Sequence, residues 1–470
     1  MSLRRAILSA LTGLTLICTT SAPSVHALDQ SWKINKKDFS KKTAGYLSRV
    51  SVLPDSLLQA FVTCSSTSYT LELFRMGYFG GAGAATQWKS EPIQCTKQIN
   101  PVRATNFDPL QAHWINPVTI DTTDREPGFY LVKILSSDNG AAFMPLVIRS
   151  PSLVGAVVMS MPDLTSLAYN KWGGASAYVA PGGFTNRARN FSFDLPFSQG
   201  FGSGIYLNYL HPLLMVATSL DIKLAYVSDV DVATIPHLLD GAHAYVSPGH
   251  DEYWTKAEQE SVMQARSEGT NLLFFGANVA YWRIRLTGGS ATSNPAMAVY
   301  KSSESDPDKS APTIRFRDTG AHEEALTGLK YRCFPARGDF EIKDATSFIF
   351  ANTSATVGAL YPGLIGPEVD AFNGINYTPG ETAIIAASRV ACGRESEKRA
   401  HSEMVYSVLP SNGAATISVG TMNWVMRGLS REAPTASSNL AIQMTRNILL
   451  AANEGPIGID HPLAPNEIAK

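Results

Sequence analysis

A histidine and two acidic residues stand side by side in the stretch SPGHDEYW, directly after an apolar run. His250, Asp251 and Glu252 could perform acid–base chemistry or bind a cation, because imidazole titrates near neutral pH and carboxylates are hard oxygen ligands. The simplest alternative is a helix entrance, where the helix dipole stabilises an acidic side chain by about 0.3–1 kcal/mol. A helix entrance explains one carboxylate, but it does not explain the histidine.

Two further polar clusters follow apolar runs of the same kind. Tyr169 and Asn170 come shortly after GAVVMSM, and Asn278 comes directly after NLLFFGA. The run HAYVSPG stands in the same position before His250. In an open α/β sheet, ligands bind at the carboxyl ends of the strands, so we expect the three clusters to meet at one site.

The elements that position these clusters change in character near residue 150. Residues 28–150 contain short alternating runs separated by glycine and proline, which predicts an immunoglobulin-like β-sandwich. Residues 151–460 contain short apolar runs separated by helical stretches, which predicts a doubly wound, mostly parallel α/β domain. The predicted fold class is therefore α/β with an N-terminal β-sandwich.

Several local elements are predicted inside these domains. Apolar periodicity favours helices over residues 205–220 and 255–268, and the second has a capping box formed by Thr255 and Glu258. The stretch SNLAIQMTRNILLAA is typical of a closing amphipathic helix. The glycines of residues 80–83 predict a hairpin turn, and residues 291–312, rich in Ser, Asp and Lys, predict a surface loop.

The N-terminus has the features of a Sec-type signal peptide. Residues 1–27 carry two arginines, an apolar run and a tail of small residues, so we expect cleavage and export. Four cysteines remain in the mature chain, and an even number in an oxidising compartment suggests disulfides. Of the three possible connectivities we favour Cys64–Cys95 with Cys333–Cys392, because each bridge then stays inside one predicted domain.

Composition argues against two classes of partner. The 470-residue chain has a formal net charge of −1, only 17% charged residues and no block of like charge, so we expect no nucleic-acid or anionic-membrane partner. No run after the signal peptide is long and apolar enough to cross a bilayer, so no membrane span is predicted either. The oligomeric state stays open.

Longer segments resemble a known family. LELFRMGYFGGAGA, AYNKWGGASAY, SPGHDEYWTKAEQESVMQARSEGTNLLFFGANVAYWRIR and HSEMVYSVLPSNGAATISVGTMNW are similar to the large (beta) subunit of N,N-dimethylformamidase and its exported bacterial relatives. The resemblance runs from about residue 45 to 452. It implies a β-sandwich followed by a glutamine-amidotransferase-like α/β domain, which agrees with the pattern of runs described above.

The resemblance also implies a chemistry, namely hydrolysis of a small amide at a mononuclear ferric ion held by two tyrosines and one glutamate. By that correspondence Glu252 is the carboxylate ligand and Tyr169 is one tyrosine ligand. The second tyrosine is Tyr130, in GFYLVKI, or the nearby Tyr178. Phenolate and carboxylate are hard anionic donors that suit Fe3+, and a cation would compensate the crowded acidic residues.

Other positions follow from the same resemblance. His250 and Asn278 match polar residues that line the family's site, and Glu403 in HSEMVY is a candidate for an additional acid/base carboxylate. One position departs from the pattern, because Ser166 stands where relatives often have a tyrosine. If that tyrosine were a ligand, the iron site would be incomplete in this chain.

Two alternatives remain beside a small-amide hydrolase. The first is a non-catalytic secreted binding protein that presents aromatic side chains such as Tyr78, Phe79 and Trp88 on the sandwich. The second is a zinc or other divalent-metal hydrolase that uses His250 together with both adjacent acids. It ranks last, because successive side chains on an extended strand point in opposite directions and rarely reach one ion.

Overall fold

The computed structural model describes residues 29–39, 42–290, 292–373, 380–393, 400–430 and 434–463. The predicted signal peptide, residues 1–27, lies outside these ranges. The fold is mixed α/β, with both antiparallel and mixed sheets. Among the helices of the described ranges, none has the length and apolar character needed to span a membrane.

The N-terminal region consists of two antiparallel-rich sheets that share one core. Its strands are β1 (Ala44–Leu47), β2 (Ser51–Val52), β3 (Leu57–Thr63), β4 (Ser68–Met76), β5 (Ala84–Lys89), β6 (Ile93–Gln94), β7 (Val118–Asp121), β8 (Gly128–Ser136) and β9 (Ala141–Ile148). One sheet has the order β1-β3-β7, and the other has the order β2-β9-β8-β4-β5 with β6 on β4. Side chains of both sheets, such as Leu58 and Leu71, pack in the same core. The hairpin predicted at residues 80–83 is confirmed, because it joins the antiparallel strands β4 and β5.

The later region is built around a nine-stranded sheet. The strands of the whole later region, in this sheet and in two smaller ones, are β10 (Val157–Met161), β11 (Asn190–Ser192), β12 (Leu224–Ser228), β13 (Ala244–Ser247), β14 (Tyr253–Thr255), β15 (Asn271–Phe274), β16 (Trp282–Thr287), β17 (Ala296–Ala298), β18 (Lys330–Cys333), β19 (Ala336–Glu341), β20 (Leu360–Ile365), β21 (Val369–Ala371), β22 (Glu381–Cys392), β23 (Ala400–Val408) and β24 (Ala415–Ser418). The helices are α1 (Asp163–Ala168), α2 (Tyr206–Tyr209), α3 (His211–Ala217), α4 (Asp229–Thr234), α5 (Lys256–Ser267), α6 (Glu323–Thr327), α7 (Ala436–Asn453) and α8 (Ile457–Asp460).

The order of the large sheet is β12-β10-β13-β15-β24-β23-β22-β19-β20. The pairings from β12 to β24 are parallel, and those from β24 to β20 are antiparallel. The sheet is therefore mixed, whereas the sequence predicted a mostly parallel one. The difference arises because β22 and β23 form a long antiparallel ribbon that extends the parallel half.

Helices cover both faces of the parallel half. Val157 and Met159 of β10 pack in one core with residues of α3 and α7. Val158, which points the other way on the same strand, packs with residues of α4 and α5. Burial on both faces explains why these strands are continuous apolar runs in the sequence.

The predicted helices form with one break. Helix α5 has the predicted capping box between Thr255 and Glu258, and α7 is the predicted closing helix. Residues 205–220 form the two short helices α2 and α3 instead of one. Pro212 stands at the start of α3, where a residue without an N–H group is tolerated but cannot continue a preceding helix.

The surface loop predicted over residues 291–312 is wrong in its first part. This segment contains β17, and Met297 and Val299 are buried in a core with Phe191. Strand β17 belongs to a four-stranded sheet of order β11-β17-β16-β14. The apolar run around β17 is only three to five residues long. A run this short does not distinguish a buried strand from a loop.

Both predicted disulfides form. Cys64 pairs with Cys95, and Cys333 pairs with Cys392. Their Cα–Cα distances of 5.4 and 6.1 Å lie within the usual range for a disulfide.

Candidate functional site

The three polar clusters meet where the strand order of the large sheet reverses. Strand β10 lies between β12 and β13, so the chain that leaves β10 goes first to one side of it and then to the other. The carboxyl end of β10 leads into α1 and Tyr169, β13 leads to His250 and Glu252, and β15 leads to Asn278. A reversal of this kind opens a crevice at the strand ends, which is the usual ligand site of such sheets.

Two glycines allow the loops after β13 and β15 to approach each other. A Cβ atom at Gly276 would lie 2.5 Å from the carbonyl oxygen of Gly249, too close for any side chain. At Gly249 a Cβ atom would lie 3.0 Å from Val425 and 3.2 Å from Tyr209. The glycines of SPGH and FFGAN therefore bring the chain segments of His250 and Asn278 into contact.

Glu252 is the centre of the cluster. Its side chain is fully buried, and each of its carboxylate oxygens accepts a hydrogen bond from a different tyrosine hydroxyl. The Tyr169 hydroxyl lies 2.6 Å from Oε2, while the Tyr178 hydroxyl donates to Oε1. The Trp282 indole N–H in turn donates to the Tyr178 oxygen at 2.9 Å. Two phenols from the connection that follows α1 and one carboxylate from the loop after β13 thus meet at one place.

The electrostatic environment holds the protons on both phenols in the absence of a cation. Burial raises the pKa of Tyr169 well above 10, and the charge of Glu252 raises it further. The same two causes raise the pKa of Tyr178. Only a strongly charged cation at the phenol oxygens would offset this cost and make both groups anionic donors.

His250 lies against the same carboxylate. Its Nε2 is 3.7 Å from Oε2 of Glu252, and the centroid of its ring is 5.3 Å from that of Tyr169 and 5.3 Å from that of Tyr209. Burial lowers the pKa of His250, although the charge of Glu252 opposes this effect. Its Nδ1 is buried and has no hydrogen-bond partner among the described residues, so it can serve a bound molecule.

Asn278 is held in an unusual backbone conformation beside two acids. Its φ is +60°, in the left-handed region, and its N–H donates to both carboxylate oxygens of Asp370 at 2.9 Å. Burial raises the pKa of Asp370 to about 7. Asn278 Oδ1 and Glu368 Oε2 lack hydrogen-bond partners in the described part of the chain, and both are buried atoms. Strained backbone with free polar atoms is frequent at functional sites.

Glu368 is a site residue that the sequence did not reveal. Burial raises its pKa well above 4.5, and the nearby charge of Glu252 raises it further, whereas a hydrogen bond with the Asn278 side chain lowers it. Glu368 directly precedes β21, and no motif marks that stretch. Its neighbours in the sequence, Gly366 and Pro367, are joined by a cis peptide bond.

Lys301 is a second residue that the sequence did not reveal, since it lies in the segment predicted as a surface loop. Its ammonium group is 3.1 Å from the centroid of the Tyr178 ring and 4.6 Å from that of Trp282. The group also donates to the Tyr253 hydroxyl at 2.6 Å. Burial lowers the pKa of Lys301 well below 10.5, and the charge of Glu252 opposes this. Its φ of +58° is again left-handed.

Two residues inferred from the family resemblance are not part of this cluster. Tyr130 packs in the core of the N-terminal sheets, and its hydroxyl donates to the Glu126 carbonyl at 2.6 Å. The tyrosine beside Glu252 is instead the other candidate, Tyr178. Glu403 accepts a hydrogen bond from the Phe372 N–H at 2.7 Å, and the carboxyl that faces Glu252 is that of Glu368.

The departure at Ser166 leaves the cluster intact. The Ser166 hydroxyl accepts a hydrogen bond from the Ile205 N–H at 3.3 Å, and a Cβ atom at Gly204 would lie 2.9 Å from that of Ser166. Thr165 and Tyr169, one turn apart, both contact residues 252–253. Ser166 therefore lies on another face of α1, away from Glu252.

Comparison with known proteins places the chain in a family. The model of the N,N-dimethylformamidase beta subunit-like, C-terminal family matches residues 70–435, which include every residue of the cluster. This chain belongs to that family. Membership suggests a hydrolase-type function, without fixing a substrate. No curated protein matches the chain.

Among solved structures, the chain is similar to the Paenibacillus sp. cycloisomaltooligosaccharide glucanotransferase complexed with cycloisomaltoheptaose. The identity is 7%, the TM-score is 0.17, and the match covers 55% of this chain and 33% of that one. A likeness this small carries no argument about fold or function.

In this member of the dimethylformamidase beta subunit-like family, a metal would have to use tyrosine oxygens. Within the described ranges, no group of three or more His, Cys, Asp and Glu side chains could hold a metal ion. Asp251 accepts a hydrogen bond from the Ser247 hydroxyl at 2.8 Å, and its charge acts on Asp229 and Glu258. It therefore points away from the Glu252 carboxylate, so the divalent site of three adjacent residues does not form.

The donor set of Tyr169, Tyr178 and Glu252 fits a trivalent ion better. Three hard oxygen donors that are anionic when a cation is present would balance a charge of three. The buried Nδ1 of His250 and Oδ1 of Asn278 stand beside this set without partners among the described residues. The residues of this chain are therefore consistent with a ferric site that has unpartnered polar atoms beside it.

The aromatic surface of the binding-protein alternative is not continuous. Phe79 is exposed, but Tyr78 is partly buried, and Trp88 packs against the core of the N-terminal sheets. One exposed ring gives little support to a binding platform.

Proposed function

We propose that this protein is an exported, iron-dependent hydrolase of small amides or related C–N bonds. The ligands of the ferric ion would be Tyr169, Tyr178 and Glu252. The proposal includes an immunoglobulin-like N-terminal sandwich and a glutamine-amidotransferase-like α/β domain, in keeping with the family resemblance. Export is supported by the signal-peptide pattern of residues 1–27 and by the two disulfides.

One observation supports the metal centre above all others. Both oxygens of the buried Glu252 carboxylate accept hydrogen bonds from phenol hydroxyls, one at the end of α1 and one in the connection that follows it, at the switch point of the sheet. A structural role for a fully buried carboxylate would be met more simply by a basic partner or by backbone N–H groups. Bound Fe3+ would supply a Lewis acid that polarises a carbonyl group and lowers the pKa of water at the site.

The remaining residues have roles that follow from their positions. The free Nδ1 of His250 can accept a proton from the attacking water. Asp370 fixes the backbone of Asn278 by accepting a hydrogen bond from its N–H group. The side chain of Asn278 can then hydrogen bond to the substrate amide and orient it. Glu368, whose pKa is raised by burial and by the charge of Glu252, can give a proton to the amine nitrogen as the C–N bond breaks.

The test compares Tyr130 and Tyr178, the two candidates that the sequence offered for the second tyrosine ligand. Wild type, Tyr178→Phe and Tyr130→Phe are purified, loaded with Fe3+, and measured for iron content and visible absorption. We expect one iron per chain and a tyrosinate-to-iron charge-transfer band in wild type and Tyr130→Phe. We expect Tyr178→Phe to lose most of the band and to bind iron at least about tenfold more weakly, because one ligand is missing.

Hydrolysis of a panel of small formamides and acetamides is measured on the same preparations. Activity should follow iron content, and Glu368→Gln should lower kcat while it keeps the band. A colourless wild type that binds no iron after loading would refute the proposal. Loss of the band in Tyr130→Phe but not in Tyr178→Phe would refute the assignment of the second ligand.

A further inference from the structure

A single buried threonine contacts the backbone of both segments that carry the candidate ligands. The Thr165 hydroxyl oxygen accepts hydrogen bonds from the N–H groups of Glu252 at 3.0 Å and Tyr253 at 3.2 Å. Its backbone carbonyl accepts a hydrogen bond from the Tyr169 N–H at 3.2 Å. Thr165 is fully buried, so water cannot easily replace its oxygen.

The position of Thr165 in α1 explains this double contact. Residues four apart on a helix lie on the same face, so Thr165 and Tyr169 both face the segment that begins β14. Tyr169 is the C-cap residue of α1, one turn beyond Thr165. The hydroxyl therefore sets how far the start of β14 stands from the helix, and Tyr169 reaches Glu252 across that gap.

The side-chain type is also suited to this task. A threonine in a helix populates only two χ1 rotamers, and in the rotamer present here its oxygen reaches both N–H groups. Among the residues that the structure describes, no other residue accepts a hydrogen bond from the Glu252 N–H group. Removal of the oxygen would free this N–H and that of Tyr253 to move away from α1.

We propose that Thr165 is a positioning residue that fixes the separation of the Tyr169 and Glu252 oxygens, and through it the affinity of the site for Fe3+. The inference rests on the proposed function, because it assigns Thr165 a role toward the same metal centre. It differs from a general packing role, since it requires the oxygen of the side chain and not its shape.

The experiment uses three substitutions and a matched control in the full chain. Thr165→Val keeps the shape without the acceptor, Thr165→Ala removes both, and Thr165→Ser keeps the acceptor. The control is Thr445→Val, which removes another fully buried threonine oxygen, one that accepts from the Trp424 indole N–H at 3.0 Å. Iron affinity is measured by equilibrium dialysis against a weak chelator, together with the visible spectrum and the Tm of the metal-free protein.

We expect Thr165→Val and Thr165→Ala to bind iron about 10- to 100-fold more weakly and to shift the charge-transfer band, as for other residues that orient metal ligands. Thr165→Ser should stay within about threefold of wild type, since the acceptor is kept. Thr445→Val should lower the Tm without change in iron affinity or spectrum. Should Thr165→Val fail to fold, the comparison of Thr165→Ala with Thr165→Ser decides the question.

The outcomes separate the two proposals. A wild type that binds no iron overturns the proposed function and this inference together. A wild type with a normal band overturns this inference alone if Thr165→Ala and Thr165→Ser have equal iron affinities. The same holds if Thr445→Val weakens iron binding as much as Thr165→Val does, because the effect is then general destabilisation.

Discussion

Buried carboxyl groups at the first turn of α1 make the stability of the protein depend on pH. Asp163 begins α1, and its carboxylate accepts a hydrogen bond from the Ser228 hydroxyl at 2.6 Å. Asp229 accepts from the Leu164 N–H at 2.8 Å and faces Asp163. Burial, together with a smaller effect of the charge of Asp231, raises the pKa of Asp163 to about 8, although the hydrogen bond from Ser228 opposes this. The perturbation that tests this is Asp163→Asn, a neutral side chain of the same shape.

The sign follows from proton binding. Between its unfolded pKa of 3.8 and its folded pKa of about 8, the Asp163 carboxyl is protonated in the folded protein and ionised in the unfolded chain. Its contribution to stability is therefore complete below pH 4 and is lost as pH rises toward 8. One proton over the three pH units from 5 to 8 corresponds to about 4 kcal/mol, or about 2 kcal/mol if Asp229 carries half of the protonation.

The assay is urea unfolding of the metal-free protein at pH 5, 6.5 and 8. We expect the free energy of unfolding of Asp163→Asn, relative to wild type, to rise by about 2–4 kcal/mol from pH 5 to pH 8. The control is Asp306→Asn. Asp306 pairs with Arg285 at 2.8 Å, and hydrogen bonds with Arg285 and Thr313 hold its pKa at about 2, below the whole pH range tested.

The two substitutions must therefore behave differently. The stability difference between Asp306→Asn and wild type should be the same at each pH, since Asp306 is ionised in both states throughout. If the curve for Asp163→Asn also runs parallel to that of wild type, Asp163 is ionised in the folded protein. The reasoning from burial would then be refuted, and a cation or water beside Asp163 would have to be sought.

Two further predictions concern the site itself. Gly276→Ala should destabilise the protein by about 1–3 kcal/mol and weaken iron binding, because the added Cβ would push the loops after β13 and β15 apart; unchanged unfolding and iron content would contradict this. Lys301→Met should shift the charge-transfer band of the iron-loaded protein to longer wavelength, because the ammonium group that faces the Tyr178 ring stabilises the phenolate. A band at the wild-type position would show that Lys301 does not act on Tyr178.

Much of the architecture could be predicted from local patterns. The apolar runs of β10, β13 and β15 and the capping box of α5 are visible in the sequence, and the structure contains all of them. Because the carboxyl ends of parallel strands lie at one edge, the convergence of Tyr169, Glu252 and Asn278 also followed. The antiparallel half of the large sheet did not follow, since strand direction depends on connections that no local pattern records.

The rest of the site depends on contacts between segments that are distant in the sequence. Tyr178 reaches Glu252 from a loop whose path is set by glycine turns, so its role could not be separated from that of Tyr130. Glu368 and Lys301 stand in stretches with no motif, and only the tertiary fold places them beside Glu252. The left-handed φ of +58° at Lys301 is a property of the folded backbone, with no glycine to signal it.

Helix α1 links the buried carboxyl groups to the candidate metal centre. It has six residues, too few to be stable alone, so tertiary contacts must hold it. Asp229 holds its first turn at Leu164, Thr165 ties its middle to Glu252, and Tyr169 ends it at the candidate metal centre. A change in the protonation of the carboxyl groups at the first turn of α1 and a substitution of Thr165 should therefore both act on Tyr169. Iron affinity in this protein should depend on how firmly α1 is held, as well as on the donors themselves.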